Sequence, residues 1–199
     1  REKMPIHRKR AGVTYSNSLE FGMREGRLTA PSGFINTQNI EQTIQQLVSR
    51  SRGIRDFDAL PIPYRAIATD MQLGEMVVLS SGNLAQAMRA SMAVPGVFSP
   101  VIVEGRVLGD GGLSRNLPVD VARQTCADVV IAVAVPNPVP TIEELQSPLT
   151  QVSRTVDVLI GANEKQQLDS LGPEDVRIVV EMGEIGSASF DKIAQAIPL

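Results

Sequence analysis

A three-layer α/β/α fold with a mostly parallel central sheet is what the sequence predicts, on three observations. Strand-like and helix-like segments alternate along most of the chain, the order that builds layered α/β folds through right-handed crossovers. The stretch ADVVIAVAV (127–135) is apolar at every position but Asp128, as suits a strand covered by helices on both faces. A long helical segment follows, and EDVRIVVEM after it reads as a second buried strand.

The elements follow in order. Residues 1–36 are rich in Gly, Ser and Arg, with RLTA as a short possible strand. IEQTIQQLVSR (40–50) sets Ile40, Ile44, Leu47 and Val48 at helical spacing. DALPIPYRAIATDMQLGEMVVLS reads as a hairpin. In it Tyr64, Ala66 and Ala68 alternate with Arg65, Ile67 and Thr69, and QLG forms the turn. NLAQAMRASMAVPG (83–96) is a short helix with Asn83 as N-cap, ended by Pro95-Gly96. PVIVEGRVLG is a second hairpin about Glu104-Gly105. PVDVARQTC is an amphipathic helix with Pro118 in its first turn. Pro136, Pro138 and Pro140 stop the 127–135 strand. LTQVSRTVDVLIGANEKQQL is the long helix, and SFDKIAQAI a terminal one capped by Ser189.

Composition limits the function classes. Apolar residues make up 43% of the 199 and charged residues 21%, the balance of a folded globular chain. A formal net charge of -3 argues against nucleic acid as a partner. The single cysteine, Cys126, rules out an internal disulfide and a cysteine-based metal cluster. No apolar run reaches the roughly 18–20 residues of a membrane helix, and REKMPIHRKR is not followed by the apolar core of a signal peptide. With no initiator Met, the chain is expected to be a piece of something longer, truncated on its N-terminal side.

Chemistry concentrates in VLGDGGLSRNLP (107–118). Asp110 directly follows a strand, where α/β folds place their sites. Gly111 and Gly112 permit positive φ and close backbone approach, leaving Asp110 held and uncrowded. Two readings stand at this point: an ordinary turn in which Asp110 caps a backbone N–H, and a catalytic base.

The ordered set AMRASMAVPGVFSPV, GRVLGDGGLSRNLPVDVAR and ADVVIAVAV resembles the patatin-like phospholipase family in its bacterial branch. FDALPIPYRAIATDMQLGEMVVLSSGNLAQAMRAS and GEIGSASFDKIAQAI are similar to it as well. The resemblance covers nearly the whole chain and is strongest over 56–135. It implies a Ser–Asp dyad that cleaves fatty acyl esters of phospholipids through an acyl-enzyme. Asp110 would be the base, with Gly111 and Gly112 supporting its turn and the oxyanion side of the site. It implies no cofactor and no metal. Its partners would be a phospholipid or other fatty acyl ester and, peripherally, the membrane surface. In the family the nucleophile sits in G-x-S-x-G and a glycine-rich loop supplies oxyanion donors, both upstream. No serine of this chain has Gly at both -2 and +2; Ser114 and Ser187 each lack the pattern. The expectation is that residues 1–199 form the C-terminal portion of a single patatin-like domain and are inactive alone. The resemblance is closest to secreted members that precede an outer-membrane β-barrel, which implies a secreted or outer-membrane location, with a cytoplasmic one as the alternative.

Other residues carry plainer expectations. His7, the only histidine, sits in a basic run and is read as solvated. Arg8-Lys9-Arg10 is a solvated loop or a contact for anionic headgroups. Ser91 is a packing residue, Arg89 a solvated or paired helix residue, Asp70 and Glu75 flank a turn, and Cys126 is a core thiol. Two rival functions remain: a lipid- or protein-binding module without turnover, and a non-lipase α/β enzyme using Asp110 for phosphate or metal chemistry.

Overall fold

The computed structural model describes residues 22–24, 27–29, 37–125 and 127–183. Expectations for His7, the Arg8–Arg10 run, Cys126, Ser187 and the terminal helix fall outside them.

The first hairpin pairs β1 (Gly22–Arg24) with β2 (Arg27–Thr29). Helix α1 (Thr37–Leu47) buries Ile44, while Leu47 stays exposed. The central unit is a four-stranded sheet of β3 (Ala66–Asp70), β4 (Met76–Leu79), β5 (Val101–Val103) and β6 (Arg106–Asp110), in spatial order β4-β3-β6-β5. All three of its ladders are antiparallel. The α/β class stands. Parallel pairing is confined, among the described residues, to β7 (Ile131–Ala134) with β8 (Val176–Val179). The reason is local: β3–β4 and β5–β6 are joined by tight turns, and a tight turn can only make an antiparallel pair.

Those turns follow from their residues. Gly74 takes φ 73°, and Asp70 Oδ1 accepts the N–H groups of Gln72 (2.9 Å) and Leu73 (3.2 Å). Glu104 and Gly105 both have positive φ, 49° and 80°, the backbone of a two-residue hairpin turn. Between the hairpins, α2 (Leu84–Ser91) starts where Asn83 Oδ1 accepts the Gln86 N–H at 3.2 Å. That fills one of the helix's orphan donors.

Helix α2 packs on the sheet through Ala90 against Ala68 and Leu108, with Val77, Leu79, Val101 and Val103 around them. A second cluster joins Phe57, Ala66 and Ala87. Strand β3 is buried at every position, so the expected alternation fails there. One face meets α2 through Ala68, and on the other Ile67 lies against Gly111.

After β6 come the four-residue helix α3 (Gly112–Arg115), then α4 (Val119–Gln124), β7, the 22-residue helix α5 (Pro148–Asp169) and β8. Val119, Val130 and Ala132 pack with Ala122, Ala127, Leu168 and Leu171. That covers one face of β7. On its other face Ile131 is 64% exposed, Val133 48% and Val135 53%, and β8 is exposed at every position. Both strands were expected to be buried; each instead presents apolar side chains to solvent, because no described element lies over that face.

Candidate active site

Asp110 is the last residue of β6 and pairs in register with Ala68 of β3. Its backbone is tied on two sides. The Asp110 N–H donates to the Ala93 carbonyl (3.0 Å), and the Gly111 N–H to the Ser91 carbonyl (3.2 Å). From the sheet, Thr69 Oγ1 donates to the Asp110 carbonyl at 2.7 Å. The segment just after α2 and the strand β3 thus fix the chain at the point where it leaves the sheet. Ser91 is half-buried, as a packing residue should be, and adds its carbonyl to the site.

The carboxylate is held at one oxygen. Oδ1 accepts the Gly112 N–H at 2.6 Å, a short bond as expected for a charged acceptor. Oδ2 has no hydrogen bond to another described residue. Burial raises the pKa of Asp110 above the ordinary carboxylate range, and the Gly112 N–H opposes part of that rise. A partly desolvated carboxylate anchored at one oxygen is the kind of group that general-base chemistry uses.

Of the two expectations for the glycines, close approach is seen and positive φ is not. Gly111 has φ -66°, and neither it nor Gly112 has positive φ. Space is what requires them. A Cβ on Gly111 would land on the Ile67 carbonyl, and one on Gly112 would sit 2.8 Å from Asp110 Oδ1 and 3.1 Å from Asn116 Oδ1. A Cβ on Gly109 would fall 2.5 Å from Met71 Sδ. Of the three, Gly111 is the glycine that lets the turn lie against β3.

Ser114 is the described serine nearest in sequence to Asp110. Its Oγ lies 2.8 Å from Thr69 Oγ1 and 3.3 Å from the Gly111 carbonyl, so it ties the turn to the sheet rather than facing the carboxylate. Arg89 takes the paired alternative of the expectation. It is 5% exposed, with Nη2 donating to the Ser99 carbonyl at 2.9 Å and its guanidinium 5.4 Å from the Phe98 ring centre. It is an internal strut between α2 and the following loop, because its partners lie above the helix rather than in solvent. Asp70 closes the β3–β4 turn as expected, its N–H donating to the Glu75 carbonyl. Among the described residues no group of three or more His, Cys, Asp or Glu is placed to hold a metal ion. No described helix is long and apolar enough to cross a membrane.

Sequence reasoning missed Asn163. From α5 its Nδ2 donates to the Gly112 carbonyl at 2.9 Å, and its Oδ1 accepts the Asn116 N–H at 2.9 Å. A signal existed. Asparagine is a poor residue for a helix interior, and one there without a cap role invites the question of what its side chain binds.

Known proteins bear on this geometry. The family model described as patatin-like phospholipase matches residues 8–123, which include the whole Asp110 turn and stop before α5. An uncharacterized NTE family protein of Mycobacterium bovis is 39% identical over 112 residues, 54% of this chain and 30% of that protein. Patatin-like phospholipase domain-containing protein 7 of Mus musculus is 43% identical over 83 residues, 41% of this chain and 6% of the mouse protein. Patatin-like phospholipase domain-containing protein 6 of Homo sapiens is 37% identical over 83 residues, with the same shares. The matched stretches thus span under a third of these relatives. With more than half of the chain matched, the Asp-Gly-Gly turn at its centre, the chain belongs to the patatin-like phospholipase family.

Proposed function

We propose that this chain carries the base half of a Ser–Asp dyad in a lipid acyl hydrolase of the phospholipase A type. The nucleophilic serine would lie in polypeptide outside residues 1–199. The observation that carries the reading is the Asp110 carboxylate at the end of β6, pinned at Oδ1 by the Gly112 N–H at 2.6 Å and with no hydrogen bond at Oδ2 among the described residues. No serine of the chain lies in G-x-S-x-G, so none of them is assigned as nucleophile.

In this mechanism Oδ2 takes the serine proton as the serine oxygen attacks the ester carbonyl. The tetrahedral intermediate collapses, the alcohol leaves with the proton held by Asp110, and the acyl group stays on the serine. Water then attacks the acyl-enzyme, gives its proton to Asp110, and the fatty acid departs as the proton returns to the serine. The raised pKa suits both halves of the cycle, since one group must accept and then donate. Substrate enters from a lipid surface that the protein contacts peripherally, in an exported or outer-membrane setting.

The test has two arms. Asp110→Asn, in a longer chain that includes the serine, should lower hydrolysis of a short-chain ester by about 100–10,000-fold per folded molecule. Retention of more than about a tenth of the activity overturns the assignment. The 199-residue chain should not react with a fluorophosphonate; stoichiometric labelling of any of its serines would place the nucleophile inside it. A binding module without turnover is favoured by the missing G-x-S-x-G, and predicts lipid binding with no hydrolysis in the longer chain.

A further inference from the structure

We infer that Asn163 is a positioning residue for Asp110: its side-chain amide braces the Gly112–Asn116 turn from α5, across 47 residues of sequence, and so holds the donor that anchors the carboxylate. This rests on the reading of Asp110 as the base. The geometry is specific. A helix continuing from Gly112 would join the Gly112 carbonyl directly to the Asn116 N–H, four residues on. Here the Asn163 amide stands between them, donating 2.9 Å to the first and accepting 2.9 Å from the second. It substitutes for a peptide group. An amide is required, because a carboxylate cannot donate and an ammonium cannot accept.

The brace has further supports on α5. Glu164 accepts from Asn116 Nδ2. Gln167, 5% exposed, accepts the Asp120 N–H at 3.1 Å. Ile160 would touch a Cβ at Gly112. One face of α5 is thus devoted to the segment from Gly112 to Asp120. The consequence passes through Gly112. Its carbonyl is fixed by Asn163, and its N–H is, among the described residues, the one hydrogen bond to the Asp110 carboxylate. That N–H shares its peptide plane with the Gly111 carbonyl, which accepts the Arg115 N–H at 2.7 Å, so with the next plane held by Asn163 the turn fixes the aim of the N–H.

Hydrogen exchange and carboxyl titration on the 199-residue chain test this. Asn163→Leu should speed exchange of the Gly112 and Asn116 amides about tenfold, the scale of one net backbone hydrogen bond, and leave β3 amides unchanged. The Asp110 titration, followed by carbon-13 signals of labelled aspartate and assigned with Asp110→Asn, should move upward. The sign follows from the Gly112 N–H, which favours the charged form; loosening it favours the neutral one. A folded Asn163→Leu with an unchanged Asp110 titration overturns the proposal. Should that variant not fold, Asn163→Ser removes the reach while keeping a small polar residue, and the same readings decide. In wild type the Asn163 side-chain amide should exchange slowly and show through-bond coupling to the Gly112 carbonyl carbon; a freely exchanging amide also overturns it. If Asn163→Leu moves the titration but Asp110→Asn leaves hydrolysis intact, the base reading fails and the brace stands. The opposite pair of results sinks only the brace.

Discussion

At the scale of single residues, the turn after β6 is a problem of room more than of backbone freedom. Gly111→Ala would drive a methyl into the Ile67 carbonyl. A loss of about 1–3 kcal/mol in urea unfolding is expected, the usual cost of overpacking, together with a displaced Asp110. An unchanged midpoint would mean that the turn is looser than described. Asp110 itself should show the opposite trade. Its folded pKa is raised, chiefly by burial. The stability associated with its neutral form is therefore present below the unfolded value and lost as pH rises through the folded one. Asp110→Asn should stabilise the chain at neutral pH, and the difference should shrink on acidification. A variant less stable than wild type at neutral pH, with the gap growing as pH rises, would contradict this. The sequence offered two reasons for the glycines beside Asp110 and could not choose between them. Positive φ and close contact select the same residue, and only the neighbouring Ile67 tells them apart.

At the scale of elements, the caps and tight turns were readable because their causes are local. Asn83, Gly74 and the Glu104-Gly105 pair each act within a few residues. Burial of whole strands was not readable. The run 127–135 is equally apolar on both sides, yet Ala132 and Ala134 are buried while Ile131 and Val133 are exposed. What covers a face comes from elsewhere in the chain. The Asn163 brace was hidden for the same reason, its partners being some 50 residues away. One distant tie does give a pH prediction. Asp175 accepts the N–H groups of Val130 (2.8 Å) and Gly172 (2.7 Å), and Arg123 Nη2 at 2.5 Å. The Val130 bond first, then Gly172 and Arg123, hold its carboxyl below the ordinary range. With a lowered folded value, its stabilisation exists above the unfolded value and is lost as pH falls through the folded one. Amide protection along β7 and β8 should therefore fall in acid before that of β3 does. Asp175→Asn should bring the same loosening to neutral pH. Equal loss in both sheets would rule Asp175 out as the cause.

At the scale of the molecule, the β7–β8 ladder is the weak place. Among the described residues it has two strands, with β7 covered on one face only and β8 exposed at every position. Unpaired edges beside exposed apolar side chains recruit other strands and surfaces. The chain should bind an apolar dye and associate as its concentration rises. Ile131→Thr with Val133→Thr should reduce both, at a cost within about 0.5 kcal/mol, as for exposed positions. Undiminished dye binding would show that the open surface lies elsewhere. The closure of the Asp110 turn has a separate consequence. Every group that closes it (Thr69, Ser91, Ala93, Gly112, Ser114 and Asn163) lies within one span of the chain. On the proposed reading the base would thus be assembled without its nucleophile, and the hydrolase would be divisible. Two separately produced polypeptides, this one and one bearing the serine, should regain ester hydrolysis on mixing, with a rate that saturates as the second is titrated in.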